Sequence, residues 1–139
     1  MDALEDRDQL KQLKARYFRT MDTKDWKAMR EVFADDVVMD TTASGGRLIT
    51  GADDFMAFLE PTLRDAVTIH HGHMPEIDMV SASTARGIWA LHDIIIWPDG
   101  TRMHGYGHYH DTYEKIDGRW RIKSSTLTRL HTDFTGAGS

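Results

Sequence analysis

The sequence predicts an α+β fold in which three N-terminal helices pack on a curved, mainly antiparallel sheet. Two observations carry this. Before residue 66, apolar residues recur at three- and four-residue spacing, the stripe of an amphipathic helix. Beyond it, Val, Ile, Thr, Trp and Tyr dominate and tight-turn signals recur, the pattern of a meander of strands. The 139 residues suit one domain, residues 1–139.

Leu10, Leu13, Tyr17 and Met21 form the apolar stripe of a first helix over roughly 5–22. Asp25 is placed to cap a second helix, because its carboxylate can accept from free N–H groups of the first turn. Trp26, Met29 and Phe33 would lie on the inner face of that helix. Val37-Val38-Met39 reads as a short strand and Ser44-Gly45-Gly46 as a turn. A third helix follows Gly51, carries Phe55, Phe58 and Leu59, and should end near Pro61. Four long strands come next, at roughly 67–79, 84–97, 102–115 and 119–131. Pro98-Asp99-Gly100 and Asp117-Gly118 supply hairpin turns.

Alternation assigns the faces of these strands. In 84–97, Arg86, Ile88, Ala90 and His92 share the outer face, and Trp89, Leu91, Asp93 and Ile95 the inner one. In 119–131, Trp120, Ile122, Ser124, Thr126 and Thr128 would point in. That turns Arg129 outward unless a bulge intervenes. His104, Tyr106, His108 and His110 share one face of the third long strand.

Composition excludes several function classes. The net charge is −5 with no Lys/Arg run, which argues against nucleic-acid and anionic-membrane partners. Cysteine is absent, so no thiolate nucleophile or Cys-ligated metal is expected. The N-terminal segment is acidic and lacks an apolar core, and the longest purely apolar run is Ile94–Trp97. The expected location is therefore cytoplasmic.

Eight histidines follow residue 69 and none precedes it. Histidines at i and i+2 on a strand face one way and could hold a metal. The spacing matches no metal signature, so no metal or other cofactor is expected. The contrasting reading is acid–base chemistry, in which a carboxylate on one imidazole nitrogen fixes the tautomer and leaves the other as a base. Asp22, at the end of the first helix, and Asp93, in an otherwise apolar strand row, are the candidate carboxylates.

Four segments add a resemblance. Tyr17-Phe18-Arg19-Thr20-Met21-Asp22-x-x-x-Trp26, Thr68–Ile77, Ala85–Asp93 and Tyr113–Trp120 resemble the SnoaL-like branch of the nuclear transport factor 2-like superfamily. Within it they look most like the bacterial bile acid 7α-dehydratases, and more distantly like scytalone dehydratase and hexachlorocyclohexane dehydrochlorinase. The similarity runs from about Leu10 to Phe134. It implies a cone-shaped α+β barrel and a catalytic set of His70, Asp22, Tyr17, Asp93 and Arg129, with His70 as base and Asp22 orienting it. One position departs from the pattern: a second active-site tyrosine of the bile acid enzymes aligns with Thr41 here.

The expected function is a cofactor-independent dehydratase, a lyase that removes water from a hydroxylated steroid-like, polyketide or ring-ketone substrate. Steroid enone isomerisation uses the same proton chemistry, and a non-enzymatic small-molecule binding domain is the contrasting possibility. Trp26, Phe33, Thr41, Phe55, Phe58, His73, Met74, Trp89 and Leu91 are the expected substrate-binding residues, with His71 a further pocket neighbour. An uncovered sheet face carrying Ile88, Ile94 and Tyr106 suggests a homo-oligomer, a trimer or a dimer.

Overall fold

The computed structural model describes residues 2–136. Helix α1 (Ala3–Asp22) starts at Asp2, whose side chain accepts from the Glu5 N–H at 2.9 Å. Its Leu10, Leu13, Tyr17 and Met21 stripe is buried. The helix ends at Asp22: the Thr23 N–H bonds back to the Arg19 carbonyl, and Lys24 takes a φ of 62°. Helix α2 (Trp26–Arg30) is capped by Asp25, which accepts from the Ala28 N–H at 3.2 Å.

Phe33 does not lie on α2. That helix stops at Arg30, and Phe33 opens strand β1 (Phe33–Asp40) with its ring fully buried. A 3-10 turn (Thr42–Ser44) leads to β2 (Leu48–Thr50), whose three residues are too few to show alternation in sequence. Helix α3 (Ala52–Leu63) continues past Pro61. In the last turn the missing proline N–H removes only one helical hydrogen bond, so the helix runs two residues further than expected.

The four long strands are β3 (Val67–Met79), β4 (Thr84–Ile96), β5 (Arg102–Ile116) and β6 (Arg119–Thr135). The sheet order is β2-β1-β6-β5-β4-β3, antiparallel except where β1 runs parallel to β6. Helices cover one face of this twisted sheet, giving the α+β cone.

Strand β6 differs from its simple alternation. Tyr113 pairs with Ile122 but Thr112 pairs with Ser124, so Lys123 is an extra residue. The bulge reverses parity beyond it. Ser125 and Leu127 are buried on the inner face, and Arg129 joins them, while Ser124, Thr126 and Thr128 face outward.

Among the described residues one ion pair has both side chains fully buried, Lys14 Nζ to Asp111 Oδ2 at 2.8 Å. The ammonium also lies over the Tyr17 and Tyr109 rings, 4.3 and 3.9 Å from their centroids. Burial lowers the Lys14 pKa, and the charge of Asp111 opposes that shift. Tyr113 donates to Asp111 at 2.9 Å and itself accepts from Trp89 Nε1 at 2.9 Å.

Removing one partner of such a pair strands the other charge. Asp111→Ala should therefore cost about 3–5 kcal/mol, and the double change Lys14→Met with Asp111→Leu much less. Urea denaturation of both variants checks this; equal losses would rule out the ion-pair account.

Candidate active site

Asp22 becomes available to a site because α1 stops at it. Tyr17 and Asp22 stand five residues apart, about 140° around a helix. Ending the helix at Asp22 lets its carboxylate swing onto β3 while Tyr17 faces inward.

Three hydrogen bonds hold that carboxylate. Oδ1 accepts from the Thr68 hydroxyl at 2.9 Å and lies 2.7 Å from His70 Nδ1, and Oδ2 accepts from the His70 backbone N–H at 2.8 Å. Lys24 Nζ donates to Thr68 Oγ1 at 2.9 Å, which fixes the hydroxyl. An ionised Asp22 can only accept, so Nδ1 carries the proton and Nε2 keeps its lone pair. The His70 ring is stacked on Phe18, with centroids 6.3 Å apart.

On the Nε2 side, Asp93 Oδ2 lies 3.9 Å away. Arg129 grips that carboxylate with both terminal nitrogens, at 2.6 and 3.0 Å. Its Nη2 also donates to Ser44 Oγ at 2.7 Å, tying the sheet to the 3-10 turn. Gly105 makes the grip possible, since a Cβ there would collide with Arg129 Nη1 and Asp93 Oδ1.

His70 and Asp93 line a cavity of about 200 Å³ with Tyr17, Met21, Tyr109 and Leu127. Thr41, Ser44 and the following glycines form one side, Phe55, Phe58, Leu59 and Leu63 of α3 another, and Ile95 and Trp97 a third. The Tyr17 and Tyr109 rings meet edge to face, with centroids 5.9 Å apart. Burial raises both phenol pKa values and keeps the hydroxyls protonated.

Of the anticipated pocket residues, Thr41, Phe55 and Phe58 line this cavity and six others do not. Phe33 packs into the core against Phe55, with ring centroids 5.5 Å apart. Trp89 and Leu91 share the inner sheet face but are buried in that core, the former tied to Tyr113. Trp26 rests against the core's edge. Met74 is 90% exposed, because β3 bulges between His73 and Glu76. His73 and His71 are exposed on the outer face, since strand alternation sends them opposite to His70.

That outer face collects seven histidines. His71, His92, Tyr106 and His131 sit side by side across four strands, with the His92 and Tyr106 rings 4.8 Å apart and nearly parallel. His104, His108 and His110 flank this row. Among the described residues, no group of three His, Asp or Glu side chains is arranged to hold a metal ion.

Tyr109, Ser44 and Leu127 escaped the sequence reading. Tyr109 was accessible to it, because it alternates with His108 and His110 and so must face inward. Leu127 was hidden by the bulge, and Ser44 by its irregular turn.

The fold has known counterparts. A profile of the SnoaL-like domain matches residues 2–126. A Gibberella zeae protein described as a probable cyclase, FGR4, is 26% identical over 134 residues, covering 85% of this chain and 87% of that protein. Among solved structures, the Kfla4162 protein of Kribbella flavida superposes with a TM-score of 0.87 at 22% identity, over 95% of both chains. A protein of Novosphingobium aromaticivorans, provisionally named a scytalone dehydratase, gives 0.86 at 22% identity over 98% of this chain and 91% of that one. The hexachlorocyclohexane dehydrochlorinase LinA-type3 of Novosphingobium barchaimii gives 0.81 at 18% identity over 98% and 92%. With 125 consecutive residues inside the matching profile, the chain belongs to the SnoaL-like domain family.

Proposed function

We propose that this protein is a cofactor-independent lyase, a dehydratase acting on a hydroxylated ring ketone of steroid-like or polyketide type. The carrying observation is the 2.7 Å contact of Asp22 with His70 Nδ1, which leaves the Nε2 lone pair at the cavity. The residue pattern shared with bile acid 7α-dehydratases supports the steroid-like choice, and Thr41 in place of a tyrosine widens the room for other rings. The names borne by the dehydratase and dehydrochlorinase relatives support elimination chemistry.

A substrate carbonyl acidifies a neighbouring C–H bond. His70 Nε2 takes that proton as the C–H pair becomes the new C=C bond. The β-hydroxyl leaves as water, receiving a proton from Tyr17, which burial keeps protonated, or from the newly charged His70. Asp22 and Asp93 flank the imidazolium on its two nitrogens and stabilise it. Arg129 holds Asp93 in that position. A second outcome, enone isomerisation, is favoured by two phenols lining one cavity, since Tyr17 and Tyr109 could hold an enolate oxygen while the proton returns to a different carbon.

Screening 3-oxo-Δ4 steroids and smaller hydroxylated ketones tests the reading. His70→Ala should lower the rate by about 10²–10⁴-fold. Loss of water marks the dehydratase and a shifted double bond without it the isomerase; equal rates in wild type and variant would remove His70 as base.

Gly105→Ala probes the Arg129–Asp93 contact. Forcing the pair apart should destabilise the fold by about 1–3 kcal/mol and lower turnover together. Thermal melting and rate assays on the variant check this, and wild-type values in both would contradict the close packing.

We further propose that the histidine-bearing outer face is where copies of the chain associate as a dimer or trimer. It is a helix-free sheet face on which Ile88 and Tyr106 are both more than a third exposed. Sedimentation analysis should find an oligomer in wild type and a monomer in Tyr106→Glu. A monomeric wild type would end this proposal.

A further inference from the structure

A second hollow, of about 360 Å³, opens directly outside the catalytic cavity. The two share Ser44, Gly45, Ile95 and Trp97, so they adjoin across common walls as an inner and an outer lobe. The outer lobe adds Met103, at the start of β5, and Phe134, near the end of β6, which are direct cross-strand neighbours.

Size separates the roles of the lobes. A cavity of roughly 150 Å³ accommodates one benzene ring. The inner lobe, at about 200 Å³, therefore holds a single ring beside His70, Asp93 and Tyr17. Sites for larger ligands span roughly 300–1,000 Å³. The site beside His70 reaches that range only when the outer lobe is counted.

Chemistry says what the outer lobe takes. No charged residue lines it. Its two hydroxyl-bearing residues are Ser44 and Thr132, and Ser44 Oγ is already engaged by Arg129 Nη2. The remaining large side chains, Ile95, Trp97, Met103 and Phe134, are apolar. Phe134 is 68% exposed at the rim, an apolar ring that the described residues leave largely uncovered. A phosphate or carboxylate would find no cation there, whereas a hydrocarbon ring would find four apolar surfaces.

We propose that the substrate has two or more rings, with the reacting ring in the inner lobe and an uncharged hydrocarbon remainder in the outer one. Trp97, Met103 and Phe134 are then the residues that select for it. The inference rests on the ring-ketone reading above and adds the substrate's size and polarity. Ser44 lines both lobes and accepts from Arg129 Nη2, so the same arginine that holds Asp93 also fixes a wall common to the two.

Calorimetric binding separates this inference from the reading beneath it. The probes are cyclohexenone, which the inner lobe accommodates alone, and androstenedione, whose four fused rings exceed it. In wild type, androstenedione should bind at least about tenfold tighter, because it removes more apolar surface from water. Phe134→Ser, at an exposed position, should erase most of that preference and leave cyclohexenone unchanged. Trp97→Ala should act in the same direction. Binding of cyclohexenone without androstenedione, or a preference untouched by both variants, would overturn the two-lobe proposal alone. Binding of neither probe would overturn the ring-ketone reading and this inference with it.

Discussion

One carboxylate joins the two halves of this molecule. Asp22 ends the first helix and receives three hydrogen bonds from β3, two of them from His70. The partners lie 46 and 48 residues away in sequence, so the contact exists only when α1 lies across the sheet. The same contact selects the imidazole tautomer. Fold and site thus share an interaction: the helix end that docks the strand also orients the His70 ring.

The sheet contributes by departing from regularity. The extra residue at Lys123 turns Leu127 and Arg129 inward. Glycine at 105 then clears the volume that the arginine fills. Without the bulge, the guanidinium would face solvent, and Asp93 would be a lone carboxylate among apolar neighbours, a costly arrangement. Bulge, glycine, arginine and aspartate therefore form one unit, and each explains the next. The unit continues to Ser44, so the irregular turn between β1 and β2 is held to the far end of β6.

Charge is distributed unevenly between the two sheet faces. The inner face buries Lys14 with Asp111 behind the Tyr17 and Tyr109 rings, and His70 between two carboxylates. The outer face carries the other seven histidines. What distinguishes His70 is its parity in β3: its neighbours at 69 and 71 point the other way, and only the inner face meets the end of α1.

The sequence by itself determined the order of the helices and of the long strands, the meander with its turns, and the Asp25 cap. These follow from local periodicity and from the conformational preferences of Asp, Gly and Pro. Alternation also placed Trp89, Leu91 and Asp93 on one side of β4 and the histidines of β5 on the other. The resemblance carried His70, Asp22, Tyr17, Asp93 and Arg129, and the structure brings these five together. Which apolar residues line the cavity was legible only in part: Phe55 and Phe58 do, but Phe33, Trp89 and Leu91 face inward and are spent on core packing. Tertiary structure decided that, together with the bulge that turns Arg129 and the turn that presents Ser44. The physical reason is that periodicity records the direction a side chain leaves the backbone. Whether that direction ends in another side chain or in open space depends on elements far away in the chain.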